Sequence, residues 1–237
     1  MRKVGLIGGT SWHSSLEYYR IINQQCNDFF GNNTNPPLCL VNLNQEEIHS
    51  LQQAGQWDQI AQLILKHAQK LEAMGMEALA FCANTPHKVI PLIQDQLRIP
   101  FLHIADAIVA DIQSHGWSKV GLLGTHFTMA EKFLKDRIAI GNAIEVIVPE
   151  ENMQMELHRW IADDLSLGIF SSNAQQCFLQ AIDNLSAKGA QAVILGCTEI
   201  PLLLKGLETS LPTIDTLRCH AEYIADYSFI MKPLKRS

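Results

Sequence analysis

The sequence predicts an α/β protein built from two similar Rossmann-like lobes, related by internal duplication, with an active site in the cleft between them. Three observations carry that prediction. Short apolar runs alternate with helical patterns, the rhythm restarts near the middle of the chain, and two stretches of the second half repeat the first in the same order.

In the first half, residues 3–7 read as a buried strand, 14–27 as a helix, 38–43 as a strand, 57–74 as a long helix and 78–82 as a strand. Such alternation implies βα units and a mostly parallel sheet covered on both faces. After residues 103–113 the pattern begins again, with a strand over 119–123, a helix over 129–140, a strand over 144–148, helices over 153–167 and 174–188, and a strand over 192–195. Lys3-Val4-Gly5-Leu6-Ile7-Gly8 is matched by Lys119-Val120-Gly121-Leu122-Leu123-Gly124. Leu71, Ala73, Gly75 and Ala78 are matched by Leu185, Ala187, Gly189 and Ala192 at a constant offset of 114. Either match alone is weak, but two in the same order at nearly equal spacing make duplication the better reading. The expected division is 1–104 plus 212–237 for the first lobe and 105–211 for the second, each near the size a small domain needs.

With 237 residues, 47% of them apolar and 18% charged, the composition is that of an ordinary globular chain. A net charge of −6 argues against nonspecific attraction to nucleic acid. The basic tail (Lys232, Lys235, Arg236) is too short for a docking patch and reads as a solvated end. Met1-Arg2-Lys3 runs straight into an apolar segment too short for a secretory leader, and no apolar run suggests a membrane span. Six scattered cysteines then read as free thiols in a reduced, cytoplasmic protein.

The chemistry concentrates at two strand ends. Cys82-Ala83-Asn84-Thr85-Pro86-His87 follows one strand, and Gly196-Cys197-Thr198-Glu199-Ile200 follows its counterpart. At the offset of 114, Cys197 corresponds to Ala83, Thr198 to Asn84 and Gly196 to Cys82. A thiol ionises near neutrality, so it can serve as base or acid. Neighbouring hydroxyl, amide and backbone N–H groups can hold a carboxylate and the charge that develops as an α-proton leaves.

These segments, with the opening Gly8-Gly9-Thr10-Ser11-Trp12 and Tyr18-Tyr19-Arg20, resemble the signature segments of the aspartate/glutamate racemase family over nearly the whole chain. The resemblance implies two α/β lobes with the active site between them, no cofactor and in particular no pyridoxal phosphate, an amino-acid substrate, and a homodimer. One thiol from each lobe then flanks the α-carbon, one removing its proton and the other delivering a proton to the opposite face. This chain departs from that pattern at Ala83, where the family places its first cysteine, because a methyl group cannot exchange a proton. Cys82 is one residue earlier, and successive strand residues point to opposite faces, so its thiol reads as a buried small hydrophobe unless the strand end is twisted.

Cys197 is therefore the catalytic candidate, with Thr198 as a carboxylate donor and Glu199 as an orienting or charge-tuning neighbour. The plainer reading of Glu199 is a carboxylate at a helix N-terminus. Asn84 and Thr85 would bind the α-carboxylate or amino group, or simply cap a turn. Thr10 and Ser11 sit where Gly8-Gly9 lets backbone N–H groups approach an anion. Gln52 would reach a substrate side chain, though a polar residue on a solvated helix is the simpler account. His87, at the family's histidine position, would tune or replace a proton carrier, or pack and hydrogen-bond. His103 with Asp106, and His126 after Gly124-Thr125, lie near the lobe boundary, and no spacing among them demands a metal.

No G-x-G-x-x-G, phosphate-loop or G-x-S-x-G arrangement occurs. The expected function is racemisation of a small, acidic amino acid without pyridoxal phosphate. The rivals are a hydantoin racemase, a diacid cis–trans isomerase, and a binding homologue that has lost turnover. A second substrate carboxylate would want an arginine or lysine, and neither 44–47 nor 163–168 supplies one.

Overall fold

The structure, a computed structural model, describes residues 1–229, so the basic tail lies outside the described residues. It divides into two units, one comprising Met1–His103 with the chain from His220 onward, the other Ile104–Cys219. Among the described residues no helix is long and apolar enough to cross a membrane.

The first unit runs β1 (Val4–Gly8), α1 (Trp12–Phe30), β2 (Leu38–Asn42), α2 (Gln45–Gln53), α3 (Trp57–Ala73), β3 (Ala78–Phe81), a 3-10 turn (Thr85–Val89) and α4 (Ile90–Ile93). Its sheet is parallel in the order β2-β1-β3. The second unit runs α5 (Ile104–Ser114), β4 (Lys119–Leu123), α6 (His126–Ala130), α7 (Lys132–Ala139), β5 (Glu145–Ile147), α8 (Glu151–Asp163), α9 (Ser172–Ala187), β6 (Ala192–Leu195), α10 (Ile200–Leu203), β7 (Thr213–Asp215) and α11 (Thr216–Phe229), the last continuing into the first unit. Its sheet is parallel in the order β5-β4-β6-β7.

The repeat extends to the register of the strands. Val4 lies opposite Ala78 and Gly5 opposite Leu79, as Val120 lies opposite Ala192 and Gly121 opposite Val193. A methyl group at Gly5 would come within 3.0 Å of Leu71 Cδ1, and one at Gly121 within 2.7 Å of Leu185 Cδ1. The two glycines thus let equivalent leucines of α3 and α9 sit directly on the central strands. Even the fourth strand has a trace in the first unit. Val193 N donates to Pro212 O at 2.9 Å where β7 pairs with β6, and Leu79 N donates to Pro100 O at 2.9 Å beside an isolated parallel bridge from Leu79 to Phe101.

Alternation along the strands sorts side chains between two layers. Val120, Leu122, Ala192 and Ile194 pack under α5 and α7, while Leu123, Val193 and Leu195 pack under α8 and α9. In the first unit, Ile7, Leu79 and Phe81 face the buried stripe of α3, made by Ile60, Ile64, Ala68 and Leu71.

Three features differ from the sequence expectation. The helix expected over 129–140 is two helices, because Glu131 is extended (φ −77°, ψ 158°) and breaks it. Helices α2, α5, α10 and α11 and the strand β7 join the alternation read from the sequence. Residues 212–219, assigned above to the first lobe, lie in the second unit, because β7 pairs with β6.

Candidate active site

In the second unit, Gly196 extends the ladder one residue beyond β6, its N–H donating to Leu123 O at 2.7 Å. A methyl group there would stand 2.9 Å from that same oxygen and 3.0 Å from Thr128 Cγ2, so glycine is what allows the strand end to close against its neighbour. Cys197 follows, half-buried at the carboxyl end of the strand. Its Sγ–H donates to Glu199 Oε2 at 2.9 Å, and Thr198 Oγ1 donates to the same oxygen at 2.9 Å. Glu199 stands at the N-cap of α10, yet its side chain makes no capping bond there, and the carboxylate turns back onto the thiol and hydroxyl instead. Burial and the Glu199 carboxylate push the Cys197 thiol well above its ordinary range, while the backbone N–H groups of Glu199 and Thr198 pull the other way. The resting group is a thiol held on a carboxylate, with N–H donors ready for a thiolate.

In the first unit, the turns after β1 and β3 leave from neighbouring strands, since Ile7 lies opposite Phe81. Cys82 N donates to Ile7 O at 3.1 Å, the same bond that Gly196 makes in the other unit. Cys82 itself is fully buried, and burial drives its thiol far above the usual range, only partly offset by Ser15. Ala83, at the place equivalent to Cys197, is half-buried. Asn84 is buried and Thr85 half-buried, and Asn84 makes no side-chain cap on the 3-10 turn it precedes.

Thr10 is buried, and its Oγ1 has no hydrogen-bond partner. Ser11 caps α1, accepting from Ser14 N at 3.4 Å. The turn just before them is tightly held. Gly9 adopts φ +90°, its N–H donates to Ser15 Oγ at 2.9 Å, and a methyl group there would collide with the Leu43 backbone at 2.2 Å. Gln52 is half-buried near the end of α2.

His87 is buried, with Nδ1 donating to Asn84 O at 3.0 Å and its ring 4.5 Å from that of His103 and 5.5 Å from that of His220. Burial and the two neighbouring imidazoles hold it well below the usual histidine range, so it stays neutral. His220 closes the cluster, its Nε2 donating to Leu102 O at 2.9 Å and its Nδ1 accepting from Tyr18 OH at 2.9 Å. Asp106 is held elsewhere, in a two-bond pair with Arg137 at 2.7 and 2.8 Å. His126 follows β4 and carries a buried Nδ1 without a hydrogen-bond partner. Among the described residues no three His, Cys, Asp or Glu side chains gather as metal ligands would.

Two parallel α/β units with repeated register, each ending in a polar turn, define the class of the chain. Residues 7–224 match the model of the Asp/Glu/Hydantoin racemase family, and the chain belongs to that family. A crystal structure of a Yersinia pestis protein, described only provisionally as an Asp/Glu racemase, is 39% identical with a TM-score of 0.92, covering 96% of this chain and 99% of that one. An aspartate racemase homologue from Pyrococcus horikoshii is 31% identical with a TM-score of 0.84, over 96% of this chain and 99% of that one. The broad specificity amino-acid racemase RacX of Bacillus subtilis is 28% identical over 70% of either chain.

Proposed function

We propose that this chain exchanges the α-proton of a small, acidic amino acid through Cys197, without pyridoxal phosphate. The observation that supports it is the Cys197 thiol donating to Glu199 at 2.9 Å beside the backbone N–H groups of Thr198 and Glu199. An amino acid brings an ammonium group, and a positive charge nearby favours the thiolate. As the thiol proton passes to Glu199, the sulfur becomes the base that takes the α-proton, and the two N–H groups hold its charge before and after. In this reading Thr198, Asn84 and Thr85 bind the substrate's carboxylate or amino group, Thr10 and Ser11 offer donors, and Gln52 meets its side chain.

Ala83 gives the reaction an asymmetry. Cys197 serves one face of the α-carbon, and the equivalent residue of the other unit has no proton to exchange. One enantiomer of the substrate therefore exchanges quickly while full inversion is slow, with water, Thr85 or Cys82 as the remaining sources for the other face. Proton NMR in heavy water, with each enantiomer of aspartate and glutamate, tests this on the wild type and on Cys197→Ser and Ala83→Cys. Exchange by the wild type that disappears in Cys197→Ser, with inversion gained in Ala83→Cys, is the expected result. No exchange of any amino acid by the wild type would sink the reading.

The family's own description includes hydantoin racemases, so a hydantoin belongs in the substrate panel, together with an unsaturated diacid. Ala83 favours a third reading, a binding protein without turnover, which would appear as thermal stabilisation by an amino acid and no isotope exchange. The resemblance to the family also supports a homodimer, and the six free thiols fit a reducing cytoplasm.

A further inference from the structure

We propose that His126 contacts the substrate, its Nδ1–H donating to the side-chain carboxylate of a dicarboxylic amino acid; this rests on the amino-acid reading above. The register of the repeat brings the residue forward. Val4 and Val120 occupy equivalent places opposite Ala78 and Ala192. Carried on from there, residue 8 falls on 124 and Thr10 falls on His126. Both positions hold a side-chain polar atom that is buried and has no hydrogen-bond partner, Thr10 Oγ1 in one unit and His126 Nδ1 in the other. Folded proteins keep few such atoms, since a buried donor or acceptor left unpaired is costly. Two of them at equivalent places beyond equivalent strands mark positions whose partner arrives with a ligand.

His158 takes up the backbone N–H of His126 and leaves its ring Nδ1 without a partner. The His126 backbone N–H donates to His158 Nδ1 at 3.4 Å, and the two rings stand 6.4 Å apart between centroids. The neighbouring strand brings the reacting thiol to the same edge. Leu123 lies opposite Leu195, so His126 and Cys197 leave from adjacent strand ends, three and two residues further on.

Charge then selects the ligand group. The two strand-end turns of this unit, residues 124–127 and 196–199, contain one acidic side chain, Glu199, and one basic side chain, His126. An α-carboxylate has hydroxyl and backbone N–H donors in those turns. A second carboxylate needs another donor, and charge-assisted bonds to a carboxylate are the strong ones. The imidazole supplies the cation-capable group that no arginine or lysine provides there.

The test uses the full chain labelled with nitrogen-15 at histidine, the His126 ring signal being identified by its absence in His126→Asn. Titration with succinate should shift that signal saturably, and acetate should not. If the wild type exchanges the α-proton of aspartate, His126→Asn and His126→Gln should raise the KM for aspartate at least about tenfold, the effect expected for one lost bond to a charged group. A His126 signal that ignores succinate, one that responds equally to acetate, or substituted proteins with the wild-type KM would overturn the assignment. Failure of the wild type to exchange any amino acid removes the racemase reading alone, and the succinate titration still decides on His126.

Discussion

Replacing Gly196 by alanine puts one methyl group at the strand end on which Cys197 depends. The added carbon would stand 2.9 Å from Leu123 O, 3.0 Å from Thr128 Cγ2 and 3.2 Å from Leu122 Cδ1. The side chains can give way, but Leu123 O is backbone and already accepts from Gly196 N at 2.7 Å. Relief therefore requires the last rung of the ladder to open. Overpacking of this kind costs about 1–3 kcal/mol, and losing the rung adds about 1 kcal/mol, for a total of roughly 2–4 kcal/mol. With a slope of about 3 kcal/mol per molar urea for a chain of this size, the unfolding midpoint should fall by about 1 M. Far-UV circular dichroism and tryptophan fluorescence, read together, measure it. The same displacement moves the Cys197 thiol off its donors, so α-proton exchange should drop with stability. The first unit supplies an internal comparison, since Cys82 occupies the equivalent place with a longer bond of 3.1 Å. An alanine variant with an unchanged midpoint and wild-type exchange would show that contact with Leu123 O does not fix this turn.

Other perturbations separate the remaining forces. Glu199→Gln removes the charge that opposes ionisation of Cys197, so alkylation of that thiol by iodoacetamide at pH 8 should accelerate; an unchanged rate would mean burial alone sets its reactivity. His87 titrates well below the ordinary histidine range in the folded chain. The unfolded chain, with a histidine pKa of about 6.5, therefore binds the extra proton first, so stability is full above that pH and falls as pH drops below it. His87→Phe should reduce the slope of stability against pH between 5 and 6.5 by as much as about 1.4 kcal/mol per unit, and an identical slope would assign the acid sensitivity elsewhere. Leu185→Ala, which empties the contact over Gly121, should cost about 2–5 kcal/mol by denaturation. Breaking the half-exposed Arg137–Asp106 pair should cost less than about 1 kcal/mol, and the reverse order would contradict a packing-dominated core.

The α/β class and the duplication were legible because strand and helix periods and the repeated glycines are local features. Gly5 and Gly121 are visible in the sequence, and the leucines they accommodate lie at the offset already noticed. The break at Glu131 was not legible, since Met129, Phe133 and Leu134 continue a helical pattern through it. Strand β7 is three residues long and depends on pairing with β6 rather than on any pattern of its own. At the site, the strand ends and Cys197 could be read directly. The direction of the Glu199 carboxylate could not, because a residue at an N-cap ordinarily turns toward the helix it precedes. The burial of His126 Nδ1 was likewise not legible, because it depends on packing in the folded unit.

The crowding around Gly9 has a thermodynamic consequence. A turn locked between the Leu43 backbone and Ser15 has already surrendered its conformational freedom during folding. A guest arriving at Thr10 would find its donors set in place, and little of the binding energy would be spent on stilling a loop.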